Sequence, residues 1–161
     1  MLIVSFDIFL KVGTMKEERD YFVNKSYCEL VVVSSKIEPK EISQLLGILP
    51  DRSFKKREKS ISKHSRSTIT KPHNLWAITS NVTLSKEESI SPHIAQLETR
   101  LLGKERTLEG LRKNPDTELT FHIWLETDDA GIGIDLSEQE MLFINAYSNR
   151  VCFSFLTNEK L

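Results

Sequence analysis

Glu118-Leu-Thr-Phe-His-Ile-Trp-Leu-Glu126 is the stretch that decides the fold. Apolar residues occupy every second position from Leu119 to Leu125, and the stretch is rich in β-branched and aromatic residues. This alternation predicts a strand that buries one face. The other face carries His122 and Trp124, which form an aromatic patch with Trp76 if strands 75–82 and 118–126 are neighbours. If helices cover this face too, the tryptophans belong to the core instead.

Other stretches share this strand character. The uninterrupted apolar run Leu30-Val-Val-Val33 predicts a central strand, because a strand that is covered on both faces shows no alternation. The predicted strands besides 118–126 are 2–10, 21–34, 75–82 and 150–156.

Amphipathic helices lie between the strands. The segment 37–50 has Pro39 where a helix would begin and Gly47 where it would end. A second helix is predicted after Ser91, which we expect to cap it, and a third after Ser137, which stands three residues before Glu140 as in a capping box. A further helical turn is expected around 108–111.

We therefore predict one α+β domain spanning 1–161, in which a mainly antiparallel sheet of about five strands is covered by two to three helices. A ferredoxin-like topology is the single topology that we expect. The predicted core consists of Leu30, Val32, Ile42, Leu45, Leu97, Leu101, Phe121, Ile123, Phe153 and Phe155.

A basic segment at 51–72 interrupts this pattern. It holds eight Lys and Arg residues against two acids, a net charge of +6, so the rest of a chain whose total is −1 carries −7. Its few apolar residues predict a flexible loop that trypsin should cut first. The candidate binding residues of this segment are Lys55, Lys56, Arg57, His64 and Arg66.

Several motifs together resemble one family. They are Tyr27-Cys-Glu-Leu-Val-Val-Val33, Glu38-Pro-Lys-Glu-Ile-Ser-Gln-Leu-Leu-Gly-Ile-Leu-Pro50, the basic stretch that runs to Trp76, Ser91-Pro-His-Ile-Ala-Gln-Leu-Glu98 and Gly133-Ile-Asp-Leu-Ser-Glu-Gln-Glu140. The chain resembles, over about 26–156, the bacterial family catalogued as domain of unknown function 4279. It departs from that family at Lys56-Arg57-Glu58, where a Lys-Gly pair is usual. The resemblance carries no established catalytic residue to this chain.

Composition sets the broad class. The 161 residues are 39% hydrophobic and 28% charged, which excludes collagen-like and wholly disordered chains. The apolar N-terminus contains Asp7 and lacks a basic leader, so we expect a cytoplasmic protein without a membrane span. Cys28 and Cys152 are expected to be buried free thiols.

No local motif predicts catalysis or a metal. The four histidines lack zinc-site spacing, and a calcium loop counted from Asp129 fails because Ile134 stands at its sixth position, where glycine is needed. We expect no cofactor and no metal, and enzyme activity is unsupported. Asp128 and Asp129 remain candidates for contact with a basic partner.

Three function classes stay open. The first is a non-catalytic, immunity-like module that binds another protein, with Trp124 as an anchor. The second is an enzyme or small-molecule binder with a site between the sheet and the basic segment, formed by His64, His73 and Trp76; a pocket lined by His73, Trp76 and His122 would favour it. The third is nucleic-acid binding through 51–72, for which we expect no appreciable affinity at physiological salt.

Overall fold

The structure, a computed structural model, describes residues 23–62, 66–80, 89–127 and 133–157. The predicted strand 2–10 and the candidates His64, Asp128 and Asp129 lie outside these residues. The described elements are β1 (Val23–Ser34), α1 (Pro39–Leu46), β2 (Arg52–Phe54), β3 (Lys59–Ile61), β4 (Thr68–Thr70), β5 (Asn74–Thr79), α2 (Ser91–Leu101), α3 (Glu105–Lys113), β6 (Thr117–Thr127), α4 (Glu138–Tyr147) and β7 (Arg150–Thr157).

Five strands form one sheet in the order β2-β5-β1-β6-β7. The central strand β1 is antiparallel to both of its neighbours, and only β7 runs parallel to its partner β6. The predicted α+β class with a mainly antiparallel five-stranded sheet is confirmed, with four helices in the described residues rather than two to three. The ferredoxin-like topology is not confirmed.

The helix ends follow local chemistry. Gly47 closes α1 at a φ of +65°, in the left-handed region that glycine adopts without steric cost. Ser137 and Glu140 form the predicted capping box of α4. The prediction for α2 is wrong by one residue, because Ser91 is its first helical residue and Ile90 takes the cap position without a side-chain hydrogen bond.

One apolar core lies between the sheet and the four helices. Seven of the predicted core residues are buried there: Leu30, Val32, Ile42, Leu97, Leu101, Phe121 and Ile123. The other three predictions are wrong. Leu45 is exposed because Leu46 takes the inward position of α1, and Phe153 and Phe155 are exposed because β7 is an edge strand.

The basic segment contains three short strands in its described part. β2 pairs with β5 at the edge of the main sheet, and β3 pairs with β4 in a separate two-stranded sheet. Backbone hydrogen bonds from Arg57 to Lys71 and from Lys71 to Glu58 join the two ladders. The flexibility of 51–72 stays a prediction. Among the described residues, every helix is too short or too polar to cross a membrane.

Candidate functional site

The sheet has two different faces. All four described helices pack on one face, where alternate residues of β1, β5 and β6 enter the core. We call the opposite side the open face because none of the four described helices packs on it, although its central residues Glu29, Val31, Leu75 and Ala77 are buried. It carries Tyr27, Glu29, Val31, Val33, Arg52, Phe54, Leu75, Ala77, Thr79, Thr120, His122 and Trp124.

An aromatic cluster occupies the β1–β6 part of the open face. Tyr27 and Trp124 are direct cross-strand partners, and their rings stack at 5.6 Å between centroids with an interplanar angle of 13°. The His122 ring stands edge-on to Trp124 at 5.7 Å. Such pairs add about 0.5–1.5 kcal/mol beyond their buried area. The buried indole Nε1–H of Trp124 has no hydrogen-bond acceptor among the described residues.

A carboxylate–guanidinium pair lies beside the cluster. Arg52 donates to both carboxylate oxygens of Glu29, with Nη2 2.8 Å from Oε2 and 3.0 Å from Oε1. Thr79 donates its hydroxyl to Oε1 at 3.3 Å. Glu29 is 4% exposed, so this bidentate geometry fixes a charged group in the middle of the open face.

His122 is held neutral by its surroundings. Partial burial lowers its pKa, since desolvation disfavours the imidazolium, and the positive charges of Arg52 and Arg150 act in the same direction. The carboxylate of Glu29, its cross-strand neighbour, opposes them. The side chain therefore contributes an uncharged ring to the open face at neutral pH.

The structure does not bring Trp76 to this cluster. β1 lies between the strands that carry the two tryptophans, and Trp76 points into the core on the helix side. Its Nε1–H donates to Ser43 Oγ at 3.0 Å, which satisfies the indole inside the core. Trp76 therefore ties α1 to the sheet.

His73 lines a cleft at the end of the sheet where β5, β6 and β7 begin. The cleft has a volume of about 610 Å³, and its charged walls include Asp116, Glu118 and Arg150. Arg150 pairs with Glu118 at 3.2 Å. Neither Trp76 nor His122 lines this cleft. It is therefore a different cleft from the expected pocket of His73, Trp76 and His122.

The described candidates of the basic segment are exposed. Lys55 pairs with Glu38 of the cap of α1 at 2.8 Å, and this hydrogen bond raises the pKa of the lysine. Lys56, Arg57 and Arg66 are exposed on the segment. Arg57 and Arg66 both adopt positive φ, of 68° and 53°, which is uncommon for residues other than glycine.

Sequence reasoning missed a buried histidine network. His93 at the start of α2 lies 2.9 Å from Ser26 Oγ through Nε2 and 2.9 Å from Ser80 Oγ through Nδ1. Ser80 Oγ also accepts a hydrogen bond from the backbone N–H of Cys28. The imidazole thus joins β1, the end of β5 and α2, and only the topology brings these distant residues together.

The Cys28 thiol beside this network is not activated. Burial raises its pKa to about 12, with a smaller effect from the charge of Glu140. A thiol in this state is protonated at neutral pH and does not act as a nucleophile. Within the described ranges, no three His, Cys, Asp or Glu side chains are grouped as metal ligands.

Comparisons with known proteins place the chain in a family without giving it an activity. Neither the curated proteins nor the solved structures contain a match. A family model described as a domain of unknown function matches residues 24–156, which is most of the chain and nearly the span of the motifs quoted above. The chain therefore belongs to the domain of unknown function family DUF4279.

Proposed function

We propose that this protein is a non-catalytic module that binds another protein through the open face. The observation that carries the proposal is the Tyr27–Trp124 stack, with His122 edge-on, on the side of the sheet opposite all four described helices. Tyrosine, tryptophan and arginine are the residue types that dominate binding energy at protein interfaces. Aromatic rings fixed on adjacent strands also lose little conformational freedom on binding.

The composition of the open face fits a protein interface. Val31, Leu75 and Ala77 form a small apolar centre that is itself buried, and the partly exposed Phe54 packs against it. The Glu29–Arg52 pair stands among them with its hydrogen bonds already made. An apolar centre with aromatic residues and satisfied polar groups is the anatomy of a specific interface.

The partner that this surface suits is a folded protein with a complementary apolar patch. The ion pairs Glu29–Arg52 and Glu118–Arg150 balance positive and negative charge beside the strands of the open face. A long polyanion would gain little from a balanced surface, whereas a partner with its own mixed charges would be held in one register. Inhibition of a partner, as immunity proteins perform it, is one role that such a module can serve.

Photo-crosslinking in the source cells tests the proposal. A photoreactive amino acid replaces Thr120 on the open face in one variant and Leu102, an exposed residue just after α2, in the matched control. We expect a protein adduct at position 120 and none at position 102. The partner is then purified and its affinity measured by calorimetry against wild type, Trp124→Ala and Leu102→Ala.

The expected result is that Trp124→Ala weakens binding at least about 30-fold, corresponding to the 2 kcal/mol or more of an interface hot spot. Leu102→Ala should leave the affinity unchanged. Equal adducts at both positions, or a partner that binds the Trp124→Ala variant as tightly as wild type, would refute the use of the open face.

A small-molecule site in the His73 cleft is the second candidate. Its volume of about 610 Å³ is that of a ligand pocket, and it presents a histidine, an arginine and two carboxylates. Binding of a small molecule that is lost in His73→Ala but retained in Trp124→Ala would move the function from the open face to the cleft.

A further inference from the structure

The two edges of the main sheet are built differently. The β2 edge has three residues, begins with Arg52 and is followed by a lysine-rich stretch. The β7 edge has eight residues, and after Arg150 it contains neither a charged residue nor a proline. Soluble proteins protect edge strands by shortness, charge or proline. In the described part of the chain, β2 has such protection and β7 does not.

The apolar side chains of β7 continue the helix-side face of the sheet but remain exposed. Phe153 pairs with Ile123 and Phe155 with Leu125, and both β6 residues are buried under the helices. α3 and α4 pack over β6, whereas Phe153 and Phe155 beyond it are 45% and 50% exposed. Val151 and Leu156 are also exposed on this strand. An apolar row therefore lies along a sheet edge.

The backbone of this edge points its polar groups outward at alternate residues. The Ser35 N–H bond to the Asp116 carbonyl shows that even-numbered residues of β6 face β1, so odd-numbered residues of β6 face β7. In the parallel register Phe121↔Val151 these odd residues bond to even-numbered residues of β7, and Val151, Phe153 and Phe155 therefore face the edge. Each of these three residues offers one donor and one acceptor to a further strand.

We propose that β7 pairs in antiparallel register with β7 of a second copy of this chain, centred on Ser154. A two-fold axis normal to the sheet places the helices of both copies on the same side of the joined sheet. Each copy then contributes the same edge, so the interface is self-complementary. Phe153 then lies opposite Phe155 of the second copy, and the reverse pair forms as well. Cross-strand aromatic pairs of this kind stabilise a ladder, and no like charges oppose one another.

The buried area sets the strength of this dimer. The exposed halves of Phe153 and Phe155 amount to roughly 200 Å² per copy, from a full aromatic surface of about 150–250 Å² each. Even with Val151 and Leu156, this is less than the roughly 800 Å² per partner of a standard interface. We therefore expect a reversible dimer with a dissociation constant above about 1 μM. The proposal is independent of the open face, which each copy keeps.

Analytical ultracentrifugation of the full chain tests the pairing over a roughly hundredfold concentration range that begins near 1 μM. We expect the mass to rise from one chain to two with concentration. Phe155→Pro removes an outward N–H and leaves the ladder to β6 intact, so this variant should fold and stay monomeric. Phe153→Lys should also stay monomeric, because it places two positive charges near the axis. The control Leu102→Lys should dimerise like wild type.

A disulfide trap gives a positive readout. In a Cys152→Ser background, Ser154→Cys places two thiols across the axis, and directly opposed residues have Cα atoms at a separation that a disulfide can span. We expect oxidation to give a covalent dimer at this position and not in Leu102→Cys. A chain that stays monomeric throughout the concentration range refutes the proposal. A dimer that survives both Phe155→Pro and Phe153→Lys refutes it too.

Discussion

Replacing Leu46 by alanine should destabilise the protein far more than replacing its neighbour Leu45. Leu46 is fully buried in the core, whereas Leu45 is 55% exposed. Both lie in α1, so helix propensity and chain position are matched. Comparing Leu46→Ala with Leu45→Ala therefore isolates the effect of burial.

The magnitude follows from the atoms removed. Leu46→Ala deletes three buried carbons, worth about 0.8 kcal/mol each, and leaves a cavity, which places the loss at about 2–5 kcal/mol. The same deletion at Leu45 removes carbons that are half in water and opens no cavity, so its cost should stay below about 1 kcal/mol.

Urea denaturation followed by circular dichroism measures both losses. We expect equal slopes and a lower midpoint for Leu46→Ala, together with a melting temperature lowered by roughly 5–15 °C at this chain length. Equal midpoints for the two variants, or a larger loss for Leu45→Ala, would show that α1 is rotated relative to the structure described here.

Three other outcomes are expected. Arg52→Ala should cost about 1–3 kcal/mol, because it leaves the buried Glu29 carboxylate with the Thr79 hydroxyl bond alone; a denaturation midpoint like that of wild type would contradict this. Because the folded-state pKa of His122 is lowered, the stability from its neutral form is complete above about 6.5 and is lost as pH falls towards the lower folded-state pKa. His122→Gln should flatten this pH dependence of the unfolding free energy, and an unaltered profile would assign it to another group. Labelled DNA and RNA should show no sub-micromolar binding at about 0.15 M salt, since the rest of the chain is acidic; such binding, if lost on changing Lys55, Lys56, Arg57 and Lys59 to serine, would favour nucleic acid as the partner.

Periodicity in the sequence predicts which face of an element a residue occupies, and it does so well here. Phe153 and Phe155 lie on the same face of the sheet as Phe121, as periodicity predicts. Periodicity carries no information, however, on which strand forms the edge of the sheet. The same limit applies to α1, where an eight-residue helix buries a stripe too narrow for both Leu45 and Leu46.

The candidate site was predictable only in part. The alternation in β6 places His122 and Trp124 away from the core, and the structure confirms this placement. That Tyr27 is their neighbour, and that Trp76 is not, depends on β1 pairing between β5 and β6. The His93 network depends likewise on contacts between residues far apart in the chain, for which a single sequence gives no spacing rule.

The central position of β1 has a kinetic consequence. Val32 pairs with Leu119, which follows it by 87 residues, so the largest ladder of the sheet closes a long loop and folding should be slow, in milliseconds to seconds. During synthesis at about 5–20 residues per second, β1 waits roughly 5–20 seconds for its β6 partner to emerge. Throughout that time the apolar run Leu30-Val-Val-Val33 lacks its β6 neighbour, so the growing chain exposes an unpaired apolar strand before the domain is complete.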